Sequence, residues 1–434
     1  MKVTMVSSFV PSRSIKNIRE IVIKNVTTDH LLSTTFDVPS DAITKLFHET
    51  PKLCSDGLQQ SHVQNLKNEE FDIILISIFF DLCYLSFVHH FKVPFIFMTS
   101  SALVGSMSDY LNNIHFPSIS GSILVEPNFP FTFTERLTAV SAETTFTLLL
   151  KHYLEPRMYS ICVERGLCPK DMPTFSKIIQ NASLAIINSV RTLEWPPRPL
   201  MPNIIYAGGI HIKPPKELQV DLEEFIQGAG EDGFIYFSLG SALKPSFLPE
   251  VHRKMLINVF GSLKQRVLWK WDQQTMADLP ENVKLSKWLP QADILVSMCI
   301  ETLHKYFDKK SIYLIYIEIS TQRKYIDSVL ICSLNIDISA LMKGISEYRS
   351  LLMKDRLVEP EEEVAYWVEY VMRHKGAPHI MSPISMMTWY EIYNIDVWAL
   401  VVTVLVGVFC FILVVGRCFW RLCRRNQIHK RKKE

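Results

Sequence analysis

The sequence contains no glycine between Gly261 and Gly344. A loop that holds a phosphate brings its backbone close to the ligand and often needs a positive φ angle, which glycine adopts without strain. We therefore expect no glycine-rich phosphate-binding loop in this part of the chain.

The nine cysteines include no pair with C-x-x-C spacing, which argues against a zinc site and against a redox motif of that kind. We accordingly expect no bound metal. Cys418 and Cys423 follow the longest apolar segment, where acylation and unmodified thiols are equal alternatives.

The first residues, "MKVTMVSSFVPSRSIKN", lack the apolar run of a secretory signal peptide. Two interpretations stay open. Either the sequence lacks its natural start, or a later membrane segment directs the chain to its membrane alone.

The composition is that of a globular protein, because 48% of the 434 residues are hydrophobic and only 21% are charged. These values exclude an intrinsically disordered chain. The length exceeds that of one ordinary core and fits two domains with additional segments.

Residues 397–416, "VWALVVTVLVGVFCFILVVG", form the longest apolar run and carry no charge. At 1.5 Å per residue such a helix spans roughly the 30 Å of a bilayer core, so we predict a transmembrane helix. The tail that follows has eight Lys and Arg against one Glu, which predicts a cytosolic tail and a lumenal body. Sequons at Asn25 and Asn181 agree with this orientation. Nucleic-acid binding by the tail is the less favoured alternative.

Short apolar runs rich in β-branched and aromatic residues alternate with helical patterns such as "LPEVHRKMLINVFGSLK", which is typical of buried parallel strands. The predicted strands are "VTMVSSF", "FDIILISIFF", "VPFIFMTS", "LAIINSV", "GFIYFSLGS", "QRVLWKW" and "SIYLIYIEIS". We expect two Rossmann-like α/β sheets with ligand crevices at the carboxyl ends of their strands. Residues 206–219 are rich in Gly and Pro and predict a linker between them. Pro360 and the three Glu after it predict a helix that packs on the body.

Three stretches carry a family resemblance: "GGIHIKPPKELQVDLEEFIQGAGEDGFIYFSLGS", "LKQRVLWKWDQQTMADLPENVKLSKWLPQADIL" and "AYWVEYVMRHKGAPHI". With "VTMVSSF" and the apolar helix, they resemble the UDP-glucuronosyltransferase family, and more specifically its insect UDP-glycosyltransferase members. The resemblance implies a GT-B fold anchored in the endoplasmic reticulum. Lys430 and Lys432 resemble the family's lysine-based retrieval signal.

The resemblance also implies a donor site. Trp288 and Gln291 in "WLPQ" would stack on and pair with the uracil ring, whereas a Trp after a strand is otherwise most often a core residue. Gly240 and Ser241 would approach a phosphate, or form an ordinary connection. Glu301 corresponds either to the family's ribose-binding glutamate or to a helix-start acid. Gln322 matches the sugar-reading Asp-Gln pair, with Thr321 in place of the Asp.

The family's diphosphate-binding His-Gly-Gly turn has no counterpart after "WLPQADIL". His304 is a weak candidate replacement, and a surface or core histidine is the more common role for such a residue. We therefore expect a donor lobe with an internal deletion.

The family's catalytic His would fall upstream of Met1, and the position of its orienting acid is occupied by Ser77. No catalytic residue is therefore assigned. Asp81 is expected to cap the next helix. His89 and His90 are expected as cations at the end of that helix.

The resulting organisation is an N-terminal acceptor lobe (1–205, incomplete at its start), a donor lobe (206–375), a juxtamembrane linker (376–396), a membrane helix (397–416) and a cytosolic tail (417–434). The resemblance implies transfer of a sugar from a UDP-sugar to small lipophilic hydroxyl compounds, of the detoxification type and without a cofactor. Three interpretations stay open: an enzyme with impaired turnover, a non-catalytic protein that binds acceptors or forms homo- or hetero-oligomers with family members, and an incomplete product that folds poorly. No nucleic-acid partner is expected.

Overall fold

The computed structural model describes residues 2–11, 13–26, 42–78, 81–103, 105–122, 130–194, 197–214, 216–230, 233–239, 244–294, 313–316 and 355–431. The strands of the described residues are β1 (Val3–Ser7), β2 (Ile18–Val22), β3 (Ile74–Ser77), β4 (Phe95–Thr99), β5 (Leu184–Ile187), β6 (Ile204–Tyr206), β7 (Phe234–Ser238), β8 (Arg266–Lys270), β9 (Val283–Ser286) and β10 (Tyr313–Tyr316). They form three parallel sheets, with the orders β1-β2, β3-β4-β5-β6 and β10-β7-β8-β9.

The α-helices that the structure describes in full are α1 (Ala42–Leu58), α2 (Ser61–Gln64), α3 (Leu85–Phe91), α4 (Gly105–Tyr110), α5 (Pro117–Ser120), α6 (Phe133–Leu149), α7 (Glu155–Glu164), α8 (Phe175–Ile179), α9 (Val220–Gln227), α10 (Glu250–Gly261), α11 (Pro360–Arg373), α12 (Trp389–Ile392) and α13 (Ile395–Arg431). A π-helical turn, Leu150–Leu154, joins α6 to α7. Each of the seven predicted apolar runs contains a strand, and the predicted helical pattern contains α10.

The β3-β4-β5-β6 sheet has a core on each face because its strands are apolar on both sides. One face, which includes Phe97, packs against the helices before and after it, with Met158 and Phe175 fully buried. The other face, which includes Ile96 and Leu184, packs against α11. This sheet is the centre of the N-terminal lobe.

Helix α11 crosses to the N-terminal lobe although it follows the C-terminal sheet in sequence. Val368 and Val371 lie in one buried cluster with Ile96 and Leu184 of the N-terminal sheet. The helix therefore packs on the body, as the sequence predicts. The lobe boundaries stay a prediction. Through this packing, residues predicted for the donor lobe contact the sheet of the acceptor lobe.

The C-terminal sheet is held by an aromatic cluster. The rings of Phe237, Phe260 and Trp269 meet edge to face at centroid distances between 5.1 and 5.6 Å, and Trp271 contacts Trp269 at 5.2 Å. Such pairs stabilise a core beyond the area that they bury. The cluster fixes β7 and β8, whose carboxyl ends form part of the predicted donor crevice.

Two disulfides lie in the N-terminal lobe, and the cysteine spacing did not reveal them. Cys54 of α1 pairs with Cys83, and Cys162 of α7 pairs with Cys168. Their Cα atoms are 6.1 and 5.2 Å apart, within the usual range for a disulfide. Structural disulfides are typical of compartments outside the cytosol.

Helix α13 contains the predicted membrane segment. Residues 395–420 have a mean hydropathy of 3.0 over their most apolar window, and the rest of the molecule buries none of that window. Trp389, Tyr390 and Tyr393 are exposed just before it, and Trp420 is exposed near its far end. By length and composition, this helix is able to cross a membrane.

Candidate functional site

Trp288 lies on a short loop after β9, at the carboxyl edge of the C-terminal sheet. Its side chain is 73% exposed, although the loop itself is anchored by the buried Leu289 and Ile294. The Ser286 hydroxyl donates to the Trp288 carbonyl oxygen at 2.8 Å. The ring is therefore an open platform on a fixed backbone and not part of the core.

Lys270 ends β8 beside this platform. Its Nζ lies 5.1 Å from the centroid of the Trp288 ring, and partial burial lowers the pKa of this ammonium group from its ordinary value. A cation near an indole ring is attracted to it by about 0.5–1 kcal/mol at an exposed site. The contact positions the indole and places a positive charge at the carboxyl edge of the sheet.

Gln291 is held by a residue of β7, a strand of the same sheet. The Tyr236 hydroxyl, from the middle of β7, donates to Gln291 Oε1 at 3.3 Å. This bond occupies the amide oxygen and fixes the orientation of the Gln291 amide. Its NH₂ group is then able to donate a hydrogen bond to a carbonyl oxygen of a flat base. Trp288 thus lies on the loop after β9, and Gln291 begins the helical turn, residues 291–294, that follows this loop. Their roles in donor binding stay predictions.

The other predicted donor residues lie outside the described residues. These are Gly240, Ser241, Glu301 and Gln322, together with the alternative His304. Strand β7 ends at Ser238, so Gly240 and Ser241 follow a carboxyl strand end in sequence. Their roles stay predictions.

The carboxyl edge of the N-terminal sheet is the predicted acceptor side, and Ser77 is the last residue of β3. Its hydroxyl donates a hydrogen bond to the carboxylate of Asp81. Burial raises the pKa of Asp81 to about 6, and the hydrogen bond from Ser77 limits that rise. Half-buried Asp81 and exposed Ser77 therefore form a pair at this edge.

The expectation that Asp81 caps the next helix is wrong. Asp81 precedes the 3₁₀ turn Leu82–Tyr84, but its side chain makes no capping hydrogen bond there. The competing partner is the Ser77 hydroxyl at the end of β3, which a capping rule based on the backbone that follows Asp81 does not consider. His89 and His90 do lie in the last turn of α3, and His90 Nε2 contacts the Lys67 carbonyl oxygen at 2.9 Å.

The turn that carries Asp81 is fixed on its other side. Cys83 is joined to α1 by its disulfide, and the neighbouring Tyr84 has a buried hydroxyl with no hydrogen-bond partner among the described residues. Burial, and then the nearby charge of Asp81, raises the pKa of Tyr84 above its ordinary value. The carboxylate thus lies beside a phenol that stays neutral.

Further polar groups end the neighbouring strands at the same edge. The hydroxyls of Thr99 and Ser101 lie 3.2 Å apart after β4. Asn188, which follows β5, donates from Nδ2 to the Ser100 carbonyl oxygen at 2.9 Å and accepts from the Gly209 N–H at 3.2 Å. In parallel sheets, ligands bind at this edge, so the groups at the ends of β3, β4 and β5 outline a candidate acceptor crevice.

A second polar group, which the sequence analysis missed, lies beside α5. His115 Nε2 contacts the Ser120 hydroxyl at 2.8 Å, and Arg198 forms a 2.8 Å ion pair with Glu194. Burial, and then the charge of Arg198, lowers the pKa of His115 to about 4. His115 is therefore neutral near pH 7 and a weak base. Only the "PRP" around Arg198 marked this region in the sequence, and it carries no distinctive chemistry.

Comparisons with known proteins give a consistent result. The family model for UDP-glucuronosyl and UDP-glucosyl transferases matches residues 1–300 and 342–434. The chain is 26% identical to "UDP-glucosyltransferase 2" of Dactylopius coccus, over 95% of this chain and 86% of that protein. It is 30% identical to "UDP-glycosyltransferase UGT5" of the same species, over 79% of this chain and 70% of that protein. The stretch without a match, residues 301–341, lies in the glycine-free part of the sequence.

A solved structure, "UDP-glucose: anthocyanidin 3-O-glucosyltransferase in complex with UDP", aligns with 83% of this chain and 87% of its own. The sequence identity is 13% and the TM-score is 0.43. A likeness this distant says nothing more about the site of this chain.

Proposed function

Because this chain belongs to the UDP-glucuronosyl and UDP-glucosyl transferase family, we propose that it binds a UDP-sugar at its C-terminal sheet and transfers the sugar to small lipophilic hydroxyl compounds. Its fold is of the GT-B type, with two Rossmann-like α/β lobes and one apolar C-terminal helix. The UDP-sugar is a co-substrate, and the proposed reaction uses no metal and no further cofactor.

The exposed ring of Trp288 is the observation that supports donor binding most directly. Stacking of a base on an aromatic ring contributes about 1–3 kcal/mol, and Lys270 and the anchored loop position the indole before the ligand arrives. Gln291, held by Tyr236, adds a directional contact to the edge of the base. These contacts are local and do not depend on the stretch that has no family match.

In the proposed reaction, the acceptor oxygen attacks the anomeric carbon as its O–H bond breaks, and the UDP group leaves with the bonding electron pair. Attack from the face opposite UDP inverts the anomeric centre. A protein group must accept the acceptor proton, and positive charge near the diphosphate must stabilise the leaving group. Lys270, at the end of β8, lies over the predicted base platform and is not assigned to the diphosphate.

The proposed location is the endoplasmic reticulum membrane, with α13 crossing it once, the body in the lumen and the basic tail in the cytosol. The two disulfides support a body in an oxidising compartment. Both sequon asparagines, Asn25 and Asn181, are exposed and are proposed as glycosylation sites.

The experiment that tests donor binding compares two exposed tryptophans. UDP is expected to raise the melting temperature of the purified full-length chain, because a ligand that binds the native state stabilises it. Trp288→Ala should abolish this shift. Trp389→Ala, which removes a tryptophan that is 66% exposed before the membrane helix, should leave it intact. If UDP does not stabilise the unmodified chain, the proposed donor site is wrong.

A second candidate is a non-catalytic relative that binds acceptors or associates with intact family members. Ser77 at the position of the family's acid and the missing glycine-rich turn favour it. The two candidates differ in one measurement. Acceptor glycoside formed by the purified chain above a boiled control supports the transferase, whereas intact UDP binding without glycoside supports the second candidate.

A further inference from the structure

We propose that Asp81, held by the hydroxyl of Ser77, is the group that accepts the hydroxyl proton of the bound acceptor. The inference rests on the acceptor-binding part of the proposed function, and it assigns a proton acceptor, for which the sequence analysis named no residue.

The position of Asp81 is the first argument. Ser77 ends β3 at the edge where Thr99 ends β4 and Asn188 follows β5, so the pair lies at the candidate acceptor crevice. Ser77 is exposed and Asp81 is half-buried, so a ligand in the crevice is able to reach the pair.

No structural role among the described residues accounts for the position of the Asp81 carboxylate. Its side chain does not cap the turn that it precedes, and it forms no ion pair among the described residues. A half-buried carboxylate is costly unless it is paired or hydrogen-bonded, and the single bond from Ser77 leaves lone pairs on the carboxylate for a further donor. A hydroxyl of the acceptor is such a donor.

The charged groups packed around Asp81 do not shift its pKa. Tyr84 on the same turn is neutral, because its pKa is raised. Asp56 of α1 and Arg165, which directly follows α7, neutralise each other in a 2.6 Å ion pair. On α1, His48 contacts Glu49 at 3.1 Å, and on α3, His90 contacts a carbonyl oxygen.

Three further charged or titratable residues of these helices are exposed Lys52 of α1, partly buried His89 of α3 and exposed Glu164 of α7. Glu164 accepts a hydrogen bond from the Ser160 hydroxyl. Buried Glu155 of α7 accepts hydrogen bonds from Ser176. None of these groups contributes to the pKa shift of Asp81, whose causes are burial and the Ser77 hydrogen bond.

The proposed proton transfer balances. The acceptor O–H bond breaks and a carboxyl O–H bond forms on Asp81, while the acceptor oxygen bonds to the anomeric carbon and UDP departs with the electron pair of the broken C–O bond. Asp81 then releases its proton to water. A base of this kind is most effective when its pKa lies near the working pH, and the raised pKa of Asp81 meets that condition better than the lowered pKa of His115.

The test measures acceptor binding against pH and does not require turnover. The probe is 1-naphthol, a fluorescent phenol that stays un-ionised between about pH 5 and 8. Its affinity for the full-length chain is expected to rise about fivefold as pH increases through about 6, because a hydrogen bond to a carboxylate is stronger than one to a carboxylic acid. This rise requires Asp81 to ionise in contact with the phenol.

Three variants separate this role from a structural one. Asp81→Asn should bind 1-naphthol with no dependence on pH. Ser77→Ala should shift the midpoint to higher pH, because it removes the hydrogen bond that lowers the pKa of Asp81. Asp72→Asn, which changes an exposed residue shortly before the start of β3, should match the unmodified chain.

A flat profile in the unmodified chain, the same profile in Asp81→Asn, or no binding of 1-naphthol would overturn the proposal. If Asp81→Asn does not fold, an unchanged midpoint in Ser77→Ala, where the replaced side chain is exposed, would overturn it instead. The UDP-dependent melting shift of the unmodified chain reports the donor site separately. Its absence counts against the proposed function and leaves the acceptor profile to decide the role of Asp81.

Discussion

Trp288 differs in exposure from Trp269 in β8 and from Trp271 just after β8. Trp269 and Trp271 are at most 2% exposed and form the aromatic core, whereas Trp288 is 73% exposed. All three follow or lie in apolar runs, so local sequence does not distinguish a platform from a core residue. Only the family motif separated them beforehand, and the exposure of the ring agrees with the role that the motif implies.

Tyr236 lies in an apolar strand pattern, and nothing in the sequence marks it as a residue of the site. Its hydroxyl orients Gln291, so Tyr236→Phe is expected to weaken uridine binding about 3- to 10-fold, equivalent to a lost hydrogen bond of about 0.5–1.5 kcal/mol. Titration calorimetry measures the change. Tyr159→Phe removes a hydroxyl that bonds the Met172 carbonyl oxygen in the other lobe and should leave uridine affinity unaltered. Equal affinities for Tyr236→Phe and the unmodified chain would argue against an oriented Gln291.

At the scale of single elements, strands with continuous apolar runs were predictable and short or mixed ones were not. The predicted "LAIINSV" contains β5, in which every residue is buried. The unpredicted strands are β2, with Arg19 and Glu20 at its centre, the three-residue β6, and β9, which carries Lys284. Each of these three strands ends the order of its sheet among the described residues, and the largely buried β6 is too short to give an extended apolar pattern.

The Cys54–Cys83 disulfide links α1 to the turn after Asp81, across 29 residues of chain. A loop of that size contributes about 3 kcal/mol by restricting the unfolded state. The Cys54→Ser, Cys83→Ser double variant should therefore melt about 5–10 °C lower than the unmodified chain. Differential scanning calorimetry under non-reducing conditions measures this shift. Cys410→Ser changes a free, exposed cysteine and serves as the control. An unchanged melting temperature in the double variant would show that the link does not restrain the lobe.

At the scale of the whole molecule, the alternation of strands and helices predicted two α/β lobes because its period and composition repeat along the chain. The return of α11 to the N-terminal sheet was not predictable in detail. An apolar stripe indicates that Val368 and Val371 are buried, but it does not identify the sheet that buries them. The disulfides were likewise hidden, because the spacing of cysteines does not determine which of them meet in space.

We expect the chain to recognise the base of a UDP-sugar through Trp288 and Gln291, because the sequence contains no counterpart of the family's His-Gly-Gly diphosphate turn. Titration calorimetry of the full-length chain with uridine and with UDP tests it most directly. The predicted dissociation constants agree within about threefold, and Trp288→Ala loses both ligands. Two charge-assisted hydrogen bonds to a diphosphate, at about 1.5–3 kcal/mol each, would make UDP bind more than about 100-fold tighter than uridine. A difference of that size would contradict the account.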